Sequence, residues 1–200
     1  MKEKLNVNQI PELKQAILDL PEKERNQLLI RLINKDQVLI EQLHFRLLEN
    51  EYDLIQRFED LKSEISTALQ AHVSVVNKAT MYTRGKLVLS MIRQLSGRIN
   101  HFAKVTKDVN FELQLRAFLL LESSRLFINI QNEETVFGLK TRVYQVTKIK
   151  TMLNLFKKLH EDLQYDFSIT YFDSIENVVI HSLRTELLAA KLDYRQFKVH

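Results

Sequence analysis

Glycine and proline are scarce in this chain, and their scarcity limits the folds that it can adopt. The 200 residues include three glycines and two prolines, and both prolines lie near the N-terminus. Folds rich in β-strands need frequent turns, which draw on these residue types. Long helices need few turns. The sequence therefore predicts an all-α protein, and a chain of this length can bury a core without disulfides.

Residues 1–50 are predicted to form an N-terminal layer of three short helices. Pro11 and Pro21 suit the first turn of a helix, where a missing N–H costs nothing. Asn34 or Asp36 is the expected N-cap of the third helix. Apolar residues repeat at helical spacing in each segment: Leu13, Ile17 and Leu20, then Leu28, Leu29 and Leu32, then Leu39, Leu43 and Leu47.

Residues 51–191 are predicted to form a bundle of four to five long antiparallel helices. The third of these is apolar on nearly all sides, which is typical of a central, buried helix. Asn132 and Asp173 are the expected N-caps of the last two, and residues 192–200 are a C-terminal tail, disordered or packed onto a neighbouring chain. Apolar residues recur three and four apart over about 51–76, 80–106, 109–131, 133–163 and 173–191.

Two boundaries within this pattern have alternatives. Residues 141–151 are rich in β-branched side chains and alternate well enough to form a strand. A helix is predicted there because no partner strand lies nearby. Asn50 falls in phase with Leu47 and Leu54, so the third short helix can also continue into the first long one, and the short helices need not form a separate domain.

Charge is distributed unevenly along the chain, although its net value is only +4. Residues 77–160 carry 15 Lys and Arg against 5 Asp and Glu, whereas residues 1–76 and 161–200 are each net acidic. At 100° per residue, four cations share one face of the helix over 80–106: Lys86, Arg93, Lys104 and Lys107. This basic face can follow a phosphate backbone, or it can meet the acidic segments of the same chain or a neighbour.

Three charged residues fall at apolar positions of the long helices. Arg98 lies on the apolar side of the helix over 80–106, between Leu95 and Phe102. Glu122 lies on an apolar face of the central helix, and Arg125 follows at a spacing that allows an ion pair. Buried charges persist only when they are paired. Arg98, Glu122 and Arg125 are therefore predicted to form a partly buried network, which either fixes the bundle register or binds an anionic ligand.

Several classes of function have no support in the sequence. The chain has no cysteine, which excludes disulfides and thiolate metal sites. It has no glycine-rich phosphate loop and no zinc, di-iron or nucleophile motif, so no metal, cofactor or catalytic residue is predicted. The first residues lack the apolar region of a signal peptide, and no apolar stretch approaches about 18 residues. A cytoplasmic protein that does not act at a membrane is expected.

The leading functional prediction is a non-enzymatic helical scaffold or adaptor that binds another protein, including a second copy of itself. Its candidate surfaces are the short-helix layer and the basic face. One alternative is nucleic-acid binding through residues 77–107. The other is a bundle enzyme or a receptor for a small anionic ligand, built around Arg98, Glu122 and Arg125.

Overall fold

The computed structural model describes residues 6–199, without the side chains of residues 180 and 181, and this part of the chain contains no strand. Its helices pack against one another, which confirms the predicted all-α bundle. A π-helical turn at Val179–Leu183 and 3-10 turns at Val7–Gln9 and Tyr194–Phe197 complete the described elements. The α-helices are α1 Pro11–Leu18, α2 Glu22–Ile33, α3 Gln37–Leu48, α4 Glu51–Lys78, α5 Met81–Thr106, α6 Val109–Gln131, α7 Val136–Phe156, α8 Glu161–Val178 and α9 Arg184–Ala189.

The chain divides between Leu48 and Glu49 into two compact units. The described part of the first unit holds α1, α2 and α3, and none of its residues is buried. Asp36 caps α3 by accepting hydrogen bonds from the backbone N–H of Val38 and Leu39. Pro11 is the first residue of α1, as expected, but Pro21 is the N-cap of α2 rather than part of its first turn.

The second unit is built around α6, which lies between two hydrophobic cores. One face of α6 packs with α4 and α5, and other faces pack with α7 and α8. Leu115 and Leu119 belong to the first core, whereas Leu113 and Leu120 belong to the second. A helix that meets partners on opposite sides must be apolar nearly all round. The predicted central helix is thus confirmed.

A capping box separates α3 from α4. The Asn50 side chain accepts a hydrogen bond from the Tyr52 N–H at 2.8 Å, and the Asn50 N–H donates to the Asp53 carboxylate at 3.0 Å. These bonds satisfy backbone donors that the first turn of a helix leaves unpaired. The third short helix therefore ends before the first long helix begins.

The predicted helices over 133–163 and 173–191 have the wrong boundaries. The chain leaves the helix after Phe156 and starts α8 at Glu161, so Asp173 lies inside α8 and is not an N-cap. His160 is the N-cap of α8, with acidic residues following it in the first turn. The apolar period hid this break because Leu159, which lies in the turn, is buried like a helical core residue.

The start of α7 also differs from the prediction. Asn132 is the C-cap of α6. The N-cap of α7 is Thr135, whose hydroxyl accepts a hydrogen bond from the Gly138 N–H at 3.0 Å. Asn132 was wrongly predicted to be the N-cap because asparagine is common at both ends of helices, and Thr135 follows it within one turn.

The β-branched segment 141–151 is helical, as predicted. Its threonine hydroxyls donate to the backbone carbonyls four residues earlier: Thr141 to Phe137 at 2.8 Å, Thr147 to Val143 at 3.0 Å and Thr151 to Thr147 at 3.1 Å. These bonds satisfy hydroxyls that would otherwise compete with the helix.

The C-terminal tail packs onto its own chain, which corrects the expectation of disorder or exchange with a neighbour. Phe197 is fully buried, and its ring centroid lies 5.4 Å from that of Phe156 and 5.6 Å from that of Phe167. The last residue of the predicted tail, His200, lies outside the described residues.

Candidate partner-binding cleft

Helices α5 and α7 lie side by side and run in the same direction. Arg84 near the start of α5 pairs with Glu133, which precedes α7, and Arg93 lies beside Tyr144 further along both helices. Gly85 permits this close approach, because a Cβ atom there would lie 2.9 Å from the Cβ of Phe137. The two helices thus form the walls of one surface cleft.

Neither wall contains an acidic residue over its whole length, from Met81 to Thr106 and from Val136 to Phe156. Two neighbouring helices that carry only cations create a positive potential along the cleft between them. The surface of the cleft is therefore electropositive.

The cleft has an apolar lining and a volume of about 510 Å³. Val143 is half exposed at 50%, and Leu139 is exposed to a similar degree. Apolar side chains of this size exposed in a concave surface are typical of a binding groove. The apolar residues of the lining are Leu89, Phe137, Leu139, Val143 and Tyr144.

Cations at the edge of the cleft lie over its aromatic rings. The Arg93 guanidinium lies 5.4 Å from the Tyr144 ring centroid, and the Lys148 ammonium lies 4.7 Å from the same ring. The Lys140 ammonium lies 5.2 Å from the Phe137 ring. Cation–π contacts hold the long side chains in place without neutralising them. Among the described residues, none of these three cations forms an ion pair with a carboxylate.

Three residues of the predicted basic face, Lys86, Arg93 and Lys104, lie on α5, whereas Lys107 is the left-handed C-cap that follows the helix. All four are exposed. The remaining arginines of α5 are engaged elsewhere, since Arg84 pairs with Glu133 and Arg98 pairs with Glu64. Sequence reasoning missed the contribution of α7, namely Lys140, Tyr144 and Lys148. The lack of acidic residues over 136–156 was the available signal.

Arg98, Glu122 and Arg125 do not form the predicted network. Arg98 pairs with Glu64 of α4 at 3.2 Å, and 60% of its side chain is exposed. Glu122 and Arg125 form their own pair at 2.7 Å, with Arg125 as exposed as Arg98. The prediction of a single buried cluster was wrong because the long side chain of an arginine at the edge of an apolar helix face extends its charged end to solvent.

The buried ion pairs of the bundle involve other residues. Arg142 of α7 donates to Glu186 of α9 at 2.6 Å, and it also donates to the backbone carbonyl of Gln131. Arg116 of α6 pairs with Glu112 and donates to Asn100 of α5 at 2.8 Å. These pairs tie neighbouring helices together. Glu112 lies one helical turn before Arg116, whereas Arg142 and Glu186 lie too far apart along the chain for helical spacing to connect them.

Two features are absent from the described residues. No group of three histidine, aspartate and glutamate side chains is placed to hold a metal ion. No described helix combines the length and the apolar character needed to cross a membrane.

Comparison with known proteins adds no functional assignment to this geometry. No protein-family model matches the chain, and no curated protein or solved structure is significantly similar to it.

Proposed function

We propose that the protein is a non-enzymatic helical adaptor that binds an acidic, amphipathic helix of a partner in the cleft between α5 and α7. One observation carries the proposal: an apolar lining bordered by cations, on two adjacent helices that contain no acidic residue. An amphipathic helix binds in such a groove by burying its apolar side. Acidic residues beside that apolar side would then meet Arg93, Lys140 and Lys148.

The chemical composition of the cleft supports a binding role. Its lining consists of apolar residues together with Arg93, Lys140, Tyr144 and Thr147. General acid–base catalysis usually relies on histidine or carboxylate groups of suitable pKa, and this lining offers neither. The cations instead favour electrostatic complementarity, which sets the rate of encounter and the choice of partner.

Nucleic-acid binding is the second candidate function, and the exposed row of cations on α5 favours it. Lys86, Arg93 and Lys104 extend over about 27 Å at a rise of 1.5 Å per residue. That length corresponds to about eight base pairs of duplex at 3.4 Å each. The apolar lining of the cleft favours the protein partner, because contacts to phosphate make no use of it.

Fluorescence titrations of the full-length protein test both candidates. The probes are a labelled synthetic helix with leucines on one side and glutamates beside them, its counterpart with lysines in place of the glutamates, and a DNA duplex of mixed sequence. We expect the glutamate helix to bind and Arg93→Glu to weaken that binding at least about tenfold, the equivalent of 1.4 kcal/mol. Lys23→Glu is the control, because Lys23 is exposed on α2 and its reversal changes the net charge equally.

Each alternative result has a defined meaning. Tight binding of the duplex, with a steep loss in high salt and no binding of the glutamate helix, would replace the adaptor proposal by nucleic-acid binding. Equal binding of the glutamate and lysine helices would remove the role of the cations. Absence of binding to all three probes at low salt would reject both candidates.

A further inference from the structure

The outward side of α8 carries three acidic residues around two large apolar ones. Tyr165 and Ile169 are 52% and 66% exposed, although both are large enough to stabilise a core. The residues of this surface, called the acidic stripe below, are Asp162, Tyr165, Asp166, Ile169 and Asp173, and all five are exposed.

Helical geometry places these five side chains on one face. At 100° per residue they lie within about 100° of one another, and they extend over about 16 Å along the axis. Among the described residues, neither Asp166 nor Asp173 has a cation as a partner. The acidic stripe is therefore an amphipathic helical surface that no other described element of the second unit covers.

The acidic stripe and the α5–α7 cleft match in charge, polarity and length. The stripe has apolar side chains between carboxylates, and the cleft has an apolar lining between cations. Lys140 and Lys148 are separated by about 12 Å along α7, which is comparable to the length of the stripe. Docking would place the carboxylates of the stripe beside the cations of the cleft, and the apolar side chains of the stripe on the apolar lining.

We propose that α8 of one copy of the chain docks in the α5–α7 cleft of a second copy. The proposal rests on the proposed function and identifies the acidic helix as part of this protein. A second molecule is required because α8 packs against α6 and the C-terminal segment, and its acidic stripe remains exposed when the chain is folded.

A reciprocal exchange has a simple symmetry. Each copy offers one cleft and one stripe, so two copies related by a twofold axis form the same contact twice and close into a dimer. The contact is partly ionic, so salt screening weakens it.

The test measures the mass of the full-length protein by sedimentation velocity over a range of concentrations, at low and at high salt. We expect a dimer at low salt that dissociates in high salt. Arg93→Glu in the cleft and Asp166→Lys in the stripe should each yield a monomer. The controls Lys23→Glu and Glu24→Lys should remain dimeric, because both residues are exposed on α2 and belong to neither the cleft nor the stripe.

Mixing experiments make the assignment specific. An equimolar mixture of the Arg93→Glu and Asp166→Lys proteins should regain the dimer, because each retains the surface that the other lacks. The chain that carries both substitutions should also dimerise, since the exchanged charges still complement each other. Lys148→Glu and Asp173→Lys form a second pair, which serves if either of the first variants unfolds at a lower temperature than the native protein.

Two results would overturn the proposal. One is that the protein remains a monomer at every concentration and salt level. The other is that it self-associates but neither the cleft variants nor the stripe variants alter the association. Binding of the synthetic glutamate helix distinguishes the two proposals. If that helix binds while the protein stays monomeric, the cleft is an adaptor site for another partner and only the self-association fails.

Discussion

Gly85 shows how one residue controls the spacing of two helices. An added Cβ at Gly85 would meet the Cβ of Phe137 at 2.9 Å, and that atom is fixed to the backbone of α7. Gly97, slightly more than three turns further along the same helix, has no atom within 4 Å of an added Cβ. The same substitution thus has opposite consequences at the two positions.

We expect Gly85→Ala to lower the free energy of unfolding by about 1–3 kcal/mol, because α5 and α7 must move apart to admit the methyl group. Gly97→Ala is expected to raise it by about 0.5–1 kcal/mol, since alanine is the better helix former at an unhindered position. Urea denaturation of the two variants checks the pair. Equal stabilities would contradict the close approach of the helices.

The sequence was least informative about the contacts that single residues of the site make. Helical spacing alone predicted one exposed basic face, formed by Lys86, Arg93, Lys104 and Lys107. The partner of Arg98 was not predicted, because Glu64 belongs to another helix. Helical spacing relates neighbours within one turn, but it carries no information on which helices pack together.

At the scale of elements, the C-terminal segment shows how a short stretch can be essential to a core. The turn at Tyr194–Phe197 has only four residues, yet Phe197 fills the space between Phe156 and Phe167. The segment closes the second core against α7 and α8.

Phe197→Ala is expected to cost about 3–5 kcal/mol of stability, because it leaves a cavity between two aromatic rings. Leu188→Ala serves as the control, since Leu188 is 71% exposed on α9 and a surface substitution of this kind changes stability by no more than about 0.5 kcal/mol. Thermal and chemical denaturation measure both variants. A cost near that of the control would mean that the tail does not pack as described.

Elements were largely predictable, and the exceptions share one cause. Helices α4, α5 and α6 begin and end within a few residues of their predicted limits, because α4 and α5 have a clear apolar period and the side chains of Asn50 and Asp108 cap α4 and α6. The break between α7 and α8 was missed because buried Leu159 continues the apolar pattern through a turn. A period identifies which residues are buried, whereas capping residues mark helix ends, as His160 marks the start of α8.

At the scale of the whole molecule, every buried apolar residue among those that the structure describes lies in the second unit, between Phe58 and Phe197. A chain that starts at Glu49 should therefore keep its helical signal, unfold cooperatively and retain its stability to within about 1 kcal/mol, because both hydrophobic cores consist of residues that this chain keeps. A chain that starts at Leu54 is the control, since it lacks the Asn50–Asp53 cap and should lose about 1 kcal/mol more. Circular dichroism during denaturation measures both. A partly unfolded product from the first truncation would contradict this division of the chain.

The candidate cleft belongs to this scale, which is why the sequence predicted only half of it. The cations of α5 were identified from the sequence. Their proximity to α7 depends on how α5, α6 and α7 pack together in the folded chain. Charge counts along the chain did reveal that residues 77–160 are strongly basic. They did not reveal which of these cations face a common surface, because that depends on tertiary structure.

The position of α6 between two cores has a consequence for synthesis on the ribosome. A nascent chain that has reached Gln131 already contains α4, α5 and α6, and it can close the first core. The opposite side of α6, including Leu113, Leu120 and Leu121, must wait for α7 and α8 and, last of all, for Phe197. During that interval an apolar strip faces water, and such intermediates are prone to aggregate. The growing chain is therefore most in need of chaperone protection after its first core has formed, and it loses that need only once Phe197 has emerged.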